Sequence, residues 1–451
     1  MKIFKIVKMI VYIASLVVFM ACGASLPKND CSDSNVENMD GACSNNLSTE
    51  STESKEISSQ KNGMNDVLNH TLQKSESLKN YQDIFGTQTM SVNEKQKAFA
   101  STIATSGERT IVGSCEKEKQ SVFVYTRLNE DSFGQPVEIK SIDEAKYFGC
   151  SVAIGYITAA ISAKEVVSEN GEIIGGKVYI YEFSDSVTSG SWDSSVVLES
   201  DEASEIFGYT VAISGRYLIV GSPSIDINKP GKVYIYEHIA ANEWKLKDTL
   251  FSETRINTFG TSVAISSSYV VVGAPMNQEL KRGEISIYRM NENGTYDLQK
   301  QIFELDDFIA GYIGHSVAIS SYDSKDYLVY GVLGDSASQD VSGKVIVLSL
   351  QSETIQYVIE APYDASIEIN KQFGARVAVS YSNIVVTSSA EGGQVFEYNF
   401  DQVSNAWMLK GIFASKRVSS STQFFGSSIS AADDMVVIGS PDSDSFYGYK
   451  L

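Results

Sequence analysis

The chemistry open to this chain is bounded by its rarer side chains. It has three histidines, His70, His238 and His315, far from one another, and five cysteines, Cys22, Cys31, Cys43, Cys115 and Cys150. Isolated imidazoles argue against histidine-built metal centres and against triads in which a histidine activates a nucleophile. Asp323 with Asp326, and Asp442 with Asp444, are acid pairs that could offer hard oxygen ligands. A calcium cage takes about six to eight oxygens, which two carboxylates do not supply. No nucleophile elbow, P-loop or metalloprotease helix motif is present. The expectation is a chain with no metal, no cofactor and no catalytic apparatus. For the cysteines that leaves acylation or disulfide formation.

Which of these each cysteine does depends on the elements that hold it. From Phe99 onward one pattern recurs, clearest in Phe207-Gly208-Tyr209-Thr210-Val211-Ala212-Ile213-Ser214 with Leu218-Ile219-Val220-Gly221-Ser222-Pro223, and in Phe259-Gly260-Thr261-Ser262-Val263-Ala264-Ile265-Ser266 with Val270-Val271-Val272-Gly273-Ala274-Pro275. An alternating segment such as Gly231-Lys232-Val233-Tyr234-Ile235-Tyr236 follows, then one such as Trp244–Leu250. The anchors are Phe99-Ala100, Phe148-Gly149, Phe207-Gly208, Phe259-Gly260, Ile313-Gly314, Phe373-Gly374 and Phe425-Gly426, spaced by 49, 59, 52, 54, 60 and 52 residues. Seven units of four short strands specify an all-β, seven-bladed β-propeller of four-stranded antiparallel blades. Inner strands covered on both faces should be continuous apolar runs, and outer ones should alternate. The seventh unit stops after its third strand, so Asn80–Phe85 is the expected N-terminal strand that closes the ring and removes its open edge.

The residues before the repeats have another character. Lys2, Lys5 and Lys8 precede an apolar run from Met9 to Ala21, too short to span about 30 Å of hydrocarbon. With Ala21-Cys22-Gly23 this resembles a bacterial lipoprotein signal, in which the cysteine is acylated and becomes the mature N-terminus. Phe19 and Met20 stand where that signal usually has Leu and a small residue. The same tripeptide also suits ordinary signal peptidase, so an unlipidated secreted form and a retained anchor stay open. Residues 1–21 therefore read as a signal peptide and 22–78 as a disordered tether. The tether is rich in Ser, Asn, Glu, Asp and Lys, with too few large apolar residues to offset chain entropy. Residues 79–451 are the propeller.

The propeller motifs, Phe-Gly, Ser-Val-Ala-Ile-Ser, Val-Val-Gly-Ala-Pro and Gly-Lys-Val-Tyr-Ile-Tyr, resemble the FG-GAP repeats of the integrin α-subunit propeller, especially their bacterial variants. The resemblance covers roughly residues 79–451 and implies a secreted or cell-surface propeller used in adhesion or protein interaction. Integrin-type repeats often hold calcium between their first and second strands. Here those connections are short (Ser214-Gly215-Arg216, Ser266-Ser267-Ser268), and only the fifth, with Asp323 and Asp326, is longer.

Propeller geometry then nominates residues. The loop entering each blade and the loop after its second strand share one face, which makes Tyr209, Thr261 and His315 binding-face candidates, with Asp226, Asn277 and Asp335 in the longer second-to-third-strand loops. Each is equally a turn residue satisfying its own backbone. Trp192, Trp244 and Trp407, with Tyr296, recur at one outer-strand position and are expected to pack between blades. Cys115 after the second strand of blade 1 and Cys150 at the start of blade 2 fall near each other, so a disulfide is open to them in an oxidising compartment. Cys31 and Cys43 in the tether could likewise pair.

Thirty-six Lys and Arg against 56 Asp and Glu give a net charge of −20, which repels phosphate backbones and argues against nucleic-acid binding. With 43% hydrophobic and 20% charged residues the chain as a whole has the composition of a folded protein. The reading is an exported, lipid-anchored, non-catalytic and monomeric propeller at the outer membrane or cell surface, binding an unidentified protein or glycan. The alternatives are a periplasmic scaffold or assembly lipoprotein, comparable to the propeller lipoprotein of the outer-membrane β-barrel assembly machine, or a hydrolase with a site on the propeller axis; for location, they are the periplasm or secretion.

Overall fold

A computed structural model describes Thr89–Ser91 and residues 98–451, apart from short stretches at 117–120, 130–131, 167–172, 185–189, 201, 203–204, 255, 276–282, 304–311, 323, 335–341, 363–371, 389–392 and 415–424. All the described residues belong to one compact unit. They form seven antiparallel sheets with strands in sequential order. The first strands of blades 1 to 7 are Phe99–Ser106, Val152–Ile154, Thr210–Ser214, Ser262–Ile265, Tyr312–Tyr322, Phe373–Ser380 and Ile429–Ala432. Each touches the next, and the last touches the first, so they make a closed inner ring. The chain is a seven-bladed β-propeller, as its repeats require.

Second strands show why the repeat folds this way. In blade 4, Tyr269–Ala274 is buried throughout. Its period of two sends Tyr269 and Val271 into the hydrophobic cluster shared with blade 5, and Val270 and Val272 into the one shared with blade 3. Seven such clusters occur, one per seam between adjacent blades. A strand that serves two seams must be apolar at every position, and each buried Val contributes roughly 1.5–3 kcal/mol.

Third strands are more buried than alternation suggests. Val233, Ile235 and Tyr236 are all within the core. The aromatic positions of this strand meet the anchor phenylalanines edge to face, with centroids 5.4 Å apart for Phe148–Tyr179, Phe207–Tyr234 and Phe373–Phe396. Fourth strands carry the solvent face, as in Glu243–Phe251. In blade 1 the fourth strand is broken into Ser132–Phe133 and Val137–Lys140.

Blade 7 takes its outermost strand from Thr89–Ser91, antiparallel to Ser445–Tyr447 with Thr89 opposite Tyr447. The segment 80–85 that the sequence offers for this place lies outside the described residues.

Candidate functional site on the anchor face

The start of each first strand and the end of each second strand lie at one end of a blade, because consecutive strands are antiparallel. At this end two glycines set how closely blades approach. Gly260 has φ +92°, in the region that disfavours any side chain. A Cβ on Gly221 of blade 3 would collide with the Gly260 carbonyl of blade 4. The backbones therefore touch, and the residue after each anchor is brought against the end of the preceding blade's second strand.

Two seams carry chemistry at that junction. Between blades 1 and 2, Cys115 and Cys150 are joined as a disulfide, with Cα atoms 4.2 Å apart. Between blades 2 and 3 the equivalent positions hold Lys164 and Tyr209, the Lys164 ammonium lying 4.7 Å from the ring centroid. Burial pushes the Lys164 pKa down. Tyr209 is 36% exposed.

The remaining nominated residues divide. Thr261 donates its hydroxyl to the Thr258 carbonyl at 2.6 Å, a turn role. Asp226 caps its own loop, its Oδ1 accepting from the Asn228 backbone N–H at 2.9 Å and from Asn228 Nδ2 at 3.2 Å. That loop instead exposes Ile225 and Ile227, at 43% and 58%, which sequence reasoning did not single out. His315 is partly buried, and burial, with the nearby Arg376 charge, lowers its pKa to about 4, leaving it neutral at physiological pH. Asn277, Asp335, Cys22, Cys31 and Cys43 lie outside the described residues. Trp192, Trp244 and Trp407 pack against seam clusters, Trp244 stacked on His238 at 4.9 Å.

Buried carboxylates are the feature the sequence hid. Glu205, fully buried, accepts from Tyr234 OH at 2.7 Å and pairs with Lys232 Nζ at 2.6 Å. Glu284 stands where blade 3 has Lys232, and accepts from Thr254 at 2.6 Å, Ser286 at 2.7 Å and Gln301 at 3.1 Å. Hydrogen bonds and ion pairing of this kind are what keep a buried carboxylate tolerable. At the opposite end, the Arg109 guanidinium lies 4.0 Å from the Phe183 ring centroid and 6.0 Å from that of Trp192, beside an 84% exposed Tyr156. A shallow cleft on the outer hairpin of blade 4 is lined by Arg289, Asn291, Asp297 and Gln299, whose amides are already bonded to Asp297 and Glu353. Among the described residues no three His, Cys, Asp or Glu side chains converge as metal ligands.

Residues 197–236 match the FG-GAP repeat family. The chain carries an FG-GAP repeat. The FG-GAP match runs from the outer strand of blade 2 into the third strand of blade 3, so it includes the Phe207 anchor, Tyr209, Glu205 and Lys232. No curated protein matches the sequence. Among solved structures, the WD40 repeats of RRP9 align with TM-score 0.51 at 11% identity, over 82% of this chain and all of that one. U3-55K aligns with TM-score 0.49 at 11% identity, over 80% of this chain and 98% of that one. The β-propeller domain of the Trilobed protease from Pyrococcus furiosus aligns at 0.41 and 10% identity, over 76% and 91%. The first of these likenesses concerns the fold alone.

Proposed function

We propose that this FG-GAP propeller is a non-catalytic interaction module, exported and held at the outer membrane or cell surface through a lipid on Cys22, and that its anchor face contacts a protein or glycan partner. The observation that carries the reading is the blade 2–3 sector of that face. There a rigid seam presents Tyr209 over Lys164, next to a loop that holds Ile225 and Ile227 out to solvent. Amphipathic aromatic and apolar groups on a stiff scaffold lose little entropy on binding, and aromatic residues carry most interface energy. All the described strands belong to the seven blades, the rigid scaffold that presents this face. The basic n-region, apolar run and Ala21-Cys22-Gly23 support export and anchoring.

The test is protease shaving of intact cells, followed by mass spectrometry for peptides from 79–451 and for acylated Cys22. Release of propeller peptides together with a lipidated Cys22 peptide is the expected result. Full protection with Cys22 lipidated would refute surface adhesion and indicate a periplasmic scaffold.

A further inference from the structure

The end of the propeller opposite the anchor face is not uniform around the ring. Its turns expose Leu128 in blade 1, Tyr156 and Ile157 in blade 2, Ile239 in blade 3, and Tyr381 and Val403 in blade 6, with Tyr156 at 84% and Val403 at 96%. Among the described residues, blades 4, 5 and 7 expose no large apolar side chain. Blades 4 and 5 present Ser267, Glu292, Lys325 and Gln351 at this end instead. Single apolar residues are ordinary on a soluble surface, whereas six gathered on one arc of one end mark a contact region.

Part of that arc is also stiff. Tyr156 and Ile157 form the tip of a hairpin whose backbone is pinned three times. The Gly155 N–H donates to the Thr158 carbonyl at 2.7 Å, the Phe183 N–H to the Ile157 carbonyl at 2.8 Å, and the Arg109 guanidinium to the Tyr156 carbonyl. Arg109 is itself held over the Phe183 ring.

The direction of the closing strand brings the chain in at the same end. Second strands finish at the anchor face, so the third strand of blade 7, Ser445–Lys450, starts there and runs away from it. Thr89–Ser91 is antiparallel to that strand, with Ser91 opposite Ser445 and Thr89 opposite Tyr447. The chain that leads back to Cys22 therefore enters the fold from the far end, on blade 7, between the apolar turns of blades 6 and 1.

We propose that this end of the propeller is a lipid-docking surface, on which Tyr156, Ile157 and the other exposed apolar turns enter the headgroup layer of a membrane while the anchor face looks away from it. The inference rests on the anchoring through Cys22 proposed above. Tyrosine and arginine, with apolar bodies and polar tips, suit the boundary between hydrocarbon and water, and Ile, Leu and Val add apolar area. A chain of net charge −20 gains no attraction from anionic headgroups, so the layer it fits is zwitterionic. Docked this way, the propeller holds Tyr209, Ile225 and Ile227 out to a partner.

The test couples a thiol-reactive diacyl lipid to Cys22 of the full mature chain, with Cys31→Ser and Cys43→Ser so that only that thiol reacts. The anchor is then present whether or not the cell acylates Cys22, which the mass of the Cys22 peptide from cells decides separately. Hydroxyl-radical oxidation is read by mass spectrometry, with Tyr209 at the other end as the internal standard. From the uncoupled chain in buffer to the coupled chain on phosphatidylcholine vesicles, oxidation of Tyr156 and Leu128 relative to Tyr209 should fall at least about threefold, as for side chains taken into the headgroup layer. Tyr156→Ser with Ile157→Ser alters only exposed side chains, so the melting temperature stays in place, and it should restore the oxidation of Leu128 on vesicles. Unchanged ratios on vesicles, protection of Tyr209 instead, or protection of Leu128 that survives the double substitution overturns the docking surface.

Discussion

The sharpest prediction concerns Gly260→Ala. The anchor glycine carries φ +92°, beyond the left-handed well that an alanine can occupy, so the substitution costs about 1–2 kcal/mol in backbone terms. Its new Cβ would also sit 2.7 Å from the Lys232 carbonyl and 3.0 Å from the Ser222 N–H nitrogen, both of the preceding blade's backbone. Backbone atoms cannot rotate away, so the seam must open, at the roughly 1–3 kcal/mol typical of overpacking. The sum is about 3 kcal/mol. At about 2 cal/mol/K of unfolding entropy per residue over some 350 residues, this lowers the melting temperature by about 4 °C. Blade 1 provides the internal control: its anchor already has Ala100, at φ +64°, inside the well and fully buried. Ala100→Gly relieves strain but loses packing and stiffness, and should change stability by less than about 1 kcal/mol. Differential scanning calorimetry of both variants decides the matter. A Gly260→Ala protein that melts within 1 °C or so of wild type, or an Ala100→Gly protein that loses as much as Gly260→Ala, would refute the view that anchor geometry sets the blade spacing.

Three further outcomes can be checked on the same preparation. Replacing both Cys115 and Cys150 by Ser releases a 35-residue loop and should cost about 4 kcal/mol by the chain-entropy relation, with reductant lowering the wild-type melting temperature but not the variant's. His315 titrates near 4 in the folded protein against an ordinary 6.5, so acid protonates the unfolded chain first. Its contribution is therefore a destabilisation absent above pH 6.5 that grows to about 3 kcal/mol by pH 4, and His315→Gln should flatten that part of the pH–stability curve. Lys232→Met strips the buried Glu205 of its counter-charge and should cost about 3–5 kcal/mol, measured by urea unfolding, whereas adding Glu205→Gln should recover part of the loss.

Much of the fold was legible in the sequence because the repeat states the same local physics seven times. Phe-Gly anchors, apolar second strands and Tyr-bearing third strands each report a position buried on both faces, and their recurrence fixed the number of blades and the antiparallel order. The propeller geometry also put Cys115 near Cys150 and gave the tryptophans a packing role. Individual side chains were less legible. Asp226 is nominated for contact, and the structure adds that it accepts hydrogen bonds from Asn228 in its own loop, beside the exposed Ile225 and Ile227. Glu284 reads as one more surface acid, until Ser252, Thr254, Ser286 and Gln301 are seen to surround it. Local propensity and hydrophobic period act along the chain, so the sequence alone determined the strands, the blades and their number. Which polar groups are spent and which are free depends on the neighbouring blade, some 50 to 60 residues away. Only the tertiary structure could pair Lys164 with Tyr209 and Lys232 with Glu205, because each depends on what folding brings within reach.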